Sequence, residues 1–145
     1  MFPSHDHCHG VNCQGKMGSG VAKALYTKWP LVKADYHITC NEMFTQGALP
    51  ETLLGHVTYV KTENKIIANC FTQQNYGYDG QVYLNYSALK KCMKGLRYFM
   101  KGYSDTKELA MPKIGCGLAG GKWEIVKEII NSQFPKDFKI KVYYL

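Results

Sequence analysis

The chain has 145 residues, the size of one domain with one core. Hydrophobic residues make up 46% of it, and no apolar run approaches the roughly 20 residues that a membrane-spanning helix needs. Lys and Arg number 18 against 11 Asp and Glu, a net charge of +7 that suits either nucleic acid or a polyanionic small ligand. The basic residues are spread along the chain and not massed in one block, so the small anion is the expected partner and nucleic acid is not.

Residues 1–6 read as irregular, and this polar start carries no secretory pattern. His7–Asn12 reads as a buried strand. Alternation along it would bring His5, His7 and His9 to one face, but no second ligand cluster accompanies them and no metal is expected. Ser19–Trp29 reads as a helix with Ser19 as N-cap and Pro30 as stop, and Leu31–Met43 as a second helix. Residues 45–50 are loop. Gly55–Lys61 and Lys65–Phe71 are β-branched runs joined by a turn at residues 62–64, which predicts a hairpin. Thr72–Tyr83 is polar, aromatic and irregular, and reads as a functional loop. Asn85–Met100 carries Tyr86, Leu89, Met93, Leu96 and Phe99 or Met100 at helical spacing, the signature of a core-packing helix. After a loop at residues 102–107 come a strand (Glu108–Ile114), a glycine loop (Pro112–Trp123), a helix (Trp123–Phe134, ended by Pro135) and a last strand (Phe138–Leu145). The order βα(α)ββαβαβ predicts one α/β domain over residues 1–145 with a mixed sheet, because one connection is a hairpin. Six cysteines with no CxxC pair read as reduced thiols in a cytoplasmic protein.

Two stretches carry the functional signal. HGVNCQGKMGSGVA (His9–Ala22) places Gly15, Gly18 and Gly20 between a strand and a helix start. PKIGCGLAGGKW (Pro112–Trp123) repeats the arrangement near the other end. Glycines let backbone N–H groups approach a ligand, and a helix N-terminus adds unpaired donors and the positive end of its dipole. Neither stretch is a P-loop or a GxGxxG fingerprint. Two such loops, each opening a helix, predict a site bounded on two sides by backbone donors, which fits a diphosphate. Ligands of open α/β sheets sit at the carboxyl ends of strands, so Asn12, both loops and residues 72–79 are expected to converge. Asn12 is either a ligand contact or a local Asx turn, and Asp79 either positions water or belongs to an Asp-Gly turn. His9 is either an acid or nucleophile or a hydrogen-bonded strand histidine. Cys13 and Cys116 have no basic neighbour in sequence to activate them, and Tyr76, Tyr78 or Phe71 could stack on a base.

The pair of motifs resembles the macrodomain family, in particular its branch of ADP-ribose-1″-phosphate phosphatases, terminal ADP-ribose glycohydrolases and related phage proteins. The resemblance implies a three-layer α/β/α sandwich with a mixed central sheet, beginning here after the family's first strand and its adenine-binding Gly-Asp pair. It implies ADP-ribose or ADP-ribose 1″-phosphate as ligand, no cofactor, and a monomer. It assigns Asn12 to the distal ribose, Gly18, Ser19, Gly20 and Val21 to the loop around that ribose and the diphosphate, and Gly115, Cys116, Gly117, Leu118 and Ala119, next to Ile114, to the second phosphate loop. Phe71 and Gln73 fall on the strand end beside them. The glycohydrolases of this branch use a lysine where Gln73 stands and an acid where Ala119 stands, and glutamine forms no Schiff base and alanine moves no proton. Hydrolysis of ADP-ribose 1″-phosphate, with Asn12, His9 and Asp79 as the candidate catalytic residues, or binding of ADP-ribose without turnover, is then what the resemblance leaves.

Overall fold

The computed structural model describes residues 6–18, 20–62, 65–103 and 107–143. Of the irregular start expected over residues 1–6, residues 1–5 lie outside these residues and Asp6 instead opens the first strand; the Ser19 N-cap, most of the turn at 62–64 and the end of the last strand also lie outside them.

Among the described residues, five strands form one sheet: β1 (Asp6–Asn12), β2 (Val57–Lys61), β3 (Ile66–Gln73), β4 (Glu108–Met111) and β5 (Lys139–Val142), in the order β2-β3-β1-β4-β5. β1 runs parallel to β3 and β4, β5 runs parallel to β4, and β2 is antiparallel to β3, the hairpin that the sequence implied. Among the described residues, four α-helices flank the sheet: α1 (Gly20–Lys28), α2 (Leu31–Thr45), α3 (Tyr86–Tyr103) and α4 (Trp123–Gln133).

The strand alternation divides the core into two. Val11, Ile67 and Phe71 face one way and pack with Leu25 of α1 and Val32, Tyr36 and Cys40 of α2. Cys8, Ala68, Cys70, Leu109 and Met111 face the other way and pack with Leu89, Cys92, Met93 and Leu96 of α3 and Val126 and Ile130 of α4. Helices thus cover both faces, which is the expected α/β/α sandwich. α3 shows why periodicity located it. Its buried residues recur three and four apart, and Asn85 caps its start by accepting the Ala88 N–H at 2.8 Å.

Several boundaries differ from expectation, with α2 reaching Thr45 and α3 reaching Tyr103, and two of the differences bear on the site. β3 continues through Thr72 and Gln73, because Gln73 pairs with Asn12 across a register shift in β1. β4 stops at Met111 and not at Ile114, because Pro112 has no N–H to continue a ladder. Both corrections matter for the site. The parallel strands β1, β3 and β4 end at one edge of the sheet, at Asn12, Gln73 and Met111, and the loops that follow them meet there.

Candidate functional site

A cleft of about 900 Å³ opens at that edge. The first glycine loop forms one wall through Gly15, Lys16, Met17, Gly18, Gly20, Val21 and Ala22, and the second forms the opposite wall from Pro112 to Ala119. His9, Asn12 and Gln73 lie at the strand ends, Tyr76, Gly77 and Tyr78 at the mouth, and Lys33, His37 and Tyr143 complete the lining. Of the residues expected at the site, His9, Asn12, Gly18, Gly20, Val21, Gln73, Ile114, Gly115, Cys116, Gly117, Leu118 and Ala119 all line it. Ser19 lies outside the described residues.

Two expectations are corrected. Phe71 does not face the cleft. It is fully buried in the layer beneath, with its ring stacked on Tyr36 at 5.7 Å between centroids. Asp79 is not on the cleft wall either: its carboxylate accepts from the Tyr83 hydroxyl at 2.8 Å and from the Gln81 N–H at 3.2 Å. The Tyr83 bond, with the Gln81 bond behind it, holds its pKa below the usual aspartate value. The Asp-Gly turn reading describes it.

The second loop is shaped by glycines that nothing larger replaces. Gly115 has φ +74°, and a Cβ there would sit 2.6 Å from Leu84. A Cβ on Gly121 would meet the Gly115 carbonyl oxygen at 2.7 Å, the oxygen that accepts the Gly121 N–H at 2.8 Å. Gly117 differs, since a Cβ there meets nothing within 4 Å and the residue is exposed. The segment before α3 is strapped to this loop, with Tyr83 N–H donating to the Ala119 carbonyl at 2.7 Å.

The first loop is organised by Asn12. Its Oδ1 accepts the Gln14 N–H at 3.0 Å, the Lys16 N–H at 3.4 Å and the Tyr36 hydroxyl at 2.8 Å, while its Nδ2 donates to the Lys16 carbonyl at 2.7 Å. The Asx-turn reading therefore describes Asn12, and the amide that folds the loop also lines the cleft. Tyr36 stands at helical spacing from Cys40 within the second helix, but nothing in the sequence signals that its hydroxyl reaches the end of β1.

His9 is 1% exposed, and its Nε2 pairs with Asn69 Oδ1 at 2.5 Å. Asn69 is itself oriented by donating Nδ2 to the Val32 carbonyl at 3.1 Å, so its oxygen faces the imidazole and Nε2 carries the hydrogen. Nδ1 is buried without a partner in the protein. Burial pushes the His9 pKa down to about 4, against the raising effect of Asn69. His9 is therefore neutral at pH 7 and is no proton donor from a charged state. The thiols beside the cleft are no nucleophiles either. Burial pushes Cys13 up to about 12 and also raises Cys116, so both stay protonated.

The charge of the wall is one-sided. Lys16, Lys33 and Lys113 line the cleft, and among the described residues no Asp or Glu does. Lys33 and His37 stand one turn apart on α2 and could not be told from ordinary surface positions in the sequence. Lysines, backbone N–H groups and open glycine surface together make a receptor for an anion.

The Macro domain family model matches residues 8–130. The chain belongs to this family. A phage T4 protein described as an uncharacterized 17.5 kDa protein in the tk-vs intergenic region is 30% identical over 132 residues, covering 88% of this chain and 79% of that protein. The ADP-ribose 1″-phosphate phosphatase of Debaryomyces hansenii is 26% identical, covering 85% of this chain and 79% of its own length. The human ADP-ribose glycohydrolase OARD1 is 28% identical, with coverage of 96% and 80%. Among solved structures, a protein of unknown function from Bacteroides thetaiotaomicron superposes with a TM-score of 0.81 at 31% identity, covering 97% of this macrodomain and 87% of that chain. In this macrodomain the Gln73 side chain donates to the Asn75 carbonyl at 2.8 Å, and the Ala119 carbonyl is taken up by the Tyr83 and Leu84 N–H groups. Neither position supplies an amine or a carboxylate to the cleft.

Proposed function

We propose that this macrodomain binds ADP-ribose 1″-phosphate and hydrolyses it to ADP-ribose and phosphate. The observation that carries the reading is the cleft itself: two glycine loops face each other across a space lined by three lysines and by no described carboxylate. A diphosphate held between the loops meets backbone N–H groups and lysine charge. The distal ribose then falls beside Asn12, and the 1″-phosphate beside the strand end at Gln73. The likeness to a fungal phosphatase of the same ligand supports this choice. The glutamine at position 73 argues against a lysine-adduct glycohydrolase route.

The chemistry asked of the chain is charge stabilisation and positioning. Water adds to phosphorus as the bond from phosphorus to the C1″ oxygen breaks, and the departing oxygen takes up a proton. Lysines and N–H groups stabilise the negative charge spread over the phosphoryl oxygens. Neutral His9 offers at most a lone pair. This last point favours a second reading, an ADP-ribose reader without turnover, since His9, the histidine expected to act as acid or nucleophile, is neutral at pH 7. A phosphorus NMR time course with ADP-ribose 1″-phosphate separates the two. Release of inorganic phosphate, lost in Asn12→Ala, supports the phosphatase. Broadening of the diphosphate resonances without release supports the reader and overturns the phosphatase.

A further inference from the structure

We infer that Tyr36 is a positioning residue that makes Asn12 a one-way hydrogen-bond donor, so that the ligand must present an acceptor at this point of the cleft. The inference rests on the reading of the cleft as a nucleotide-diphosphate-sugar site and goes beyond it, by assigning the polarity of one contact and the residue that sets it.

The polarity follows from counting partners. A carboxamide oxygen has two lone pairs and a carboxamide nitrogen two hydrogens. Asn12 Oδ1 is approached by three donors: the Gln14 N–H, the Lys16 N–H and the Tyr36 hydroxyl. Its acceptor capacity is used up inside the protein. A flipped amide would set NH2 against two backbone N–H groups and face its oxygen to the Lys16 carbonyl, which costs every one of these bonds. The orientation is therefore fixed by the backbone. One Nδ2 hydrogen goes to the Lys16 carbonyl at 2.7 Å, so the second is all that Asn12 offers the cleft.

Tyr36 holds this arrangement from the α2 side. It is fully buried, and its hydroxyl lies 2.7 Å from the Asn12 main-chain oxygen and 2.8 Å from Oδ1. One hydroxyl hydrogen thus bridges the main chain and the side chain of the same residue. The ring is stacked on Phe71, which fixes its direction. Burial holds the phenol far above its ordinary pKa, with Cys40 adding to the effect, so it remains a donor at every working pH. Lining the cleft is not required of Tyr36. It acts through Asn12.

A ribose hydroxyl accepting with a lone pair, or a phosphate oxygen, satisfies a lone N–H donor, and the two sources are separated by ligand choice. Affinities of wild type, Tyr36→Phe and Asn12→Asp are measured calorimetrically for ADP-ribose and for ADP, which lacks the distal ribose. Phenylalanine keeps the stacked ring and removes only the hydroxyl. Loss of one hydrogen bond's worth of positioning weakens binding by about fivefold. The expected result is a fivefold loss for ADP-ribose with less than a twofold change for ADP, which places the acceptor on the ribose. An equal loss for both places it on the diphosphate. Asn12→Asp, which turns the donor into an acceptor, abolishes binding of whichever ligand uses it. Faster hydrogen exchange of the Gln14 and Lys16 amides in Tyr36→Phe supports the same role without any ligand. Unchanged affinities for both ligands together with unchanged exchange overturn the role of Tyr36 and leave the cleft reading standing. Failure of the wild type to bind either ligand overturns the cleft reading, and this assignment with it.

Discussion

Gly117 offers the cleanest probe of the charge of the cleft. It lines the cleft on the second loop, and a Cβ there meets nothing within 4 Å. Gly20, on the opposite wall, is a poorer choice. Its φ of +59° strains any side chain whatever the space, and a stability loss would then mask a binding effect. Gly117→Glu introduces a carboxylate where the described wall has none. At about 6 Å from a phosphate, and with an effective dielectric of about 20, each unit of like charge costs about 3 kcal/mol. Screening at an exposed loop lowers this, leaving a loss of about tenfold to a hundredfold in affinity at low salt. Gly117→Gln has nearly the same size without the charge and isolates the steric part. Calorimetric titration with ADP-ribose gives the affinities, and thermal melts confirm that neither variant changes stability by more than about 0.5 kcal/mol. Equal affinities of the Glu and Gln variants would refute the reasoning, because a diphosphate at this loop cannot be indifferent to a neighbouring carboxylate.

Other outcomes follow from the same geometry. Gly115→Ala must strain a φ of +74° and push against Leu84, so its melting temperature is expected to fall by a few degrees, corresponding to about 1–3 kcal/mol; an unchanged melt would mean the loop relaxes freely. His9 has a folded pKa of about 4 against an unfolded value near 6.5, so the unfolded chain binds its proton first as pH falls. Its contribution to stability is complete above pH 6.5 and is lost between pH 6.5 and 4, about 3 kcal/mol over that window. Urea melts across the range should show this slope in wild type and a shallower one in His9→Gln; identical slopes would contradict the assignment. With Gln73 in place of a lysine, borohydride treatment in the presence of ADP-ribose should leave the mass of the Gln73-containing peptide unchanged, and a reduced adduct on that peptide would overturn the argument against the glycohydrolase route.

The sequence was most legible where backbone chemistry is stark. Glycines at 15, 18 and 20 and again at 115, 117, 120 and 121 mark two loops at strand ends, and residues of both loops line the cleft. Pro30 separates α1 from α2, and Pro135 lies just beyond the end of α4, where single residues pointed. The hidden part was what depends on side-chain direction. Phe71 falls near the strand end at the cleft, yet it packs with Ile67 into the α2 layer. The run from Glu108 to Ile114 is apolar enough to pass for a strand, and only the missing N–H of Pro112 ends it. The spacing of Tyr36 and Cys40 marks a helix, but a hydrogen bond spanning 24 residues has no local signature. Asp79 lies in a polar loop expected at the site, where it could either position water or belong to an Asp-Gly turn. Local turn chemistry claims it.

The account stands most directly on a diphosphate held between the two glycine loops. An amide chemical-shift titration with ADP-ribose tests it. The account predicts the largest shifts at Gly18, Gly20, Gly115 and Gly117, on opposite walls at once, with the side-chain amide of Asn12 moving alongside. Shifts confined to one loop, or centred away from the cleft, would contradict it.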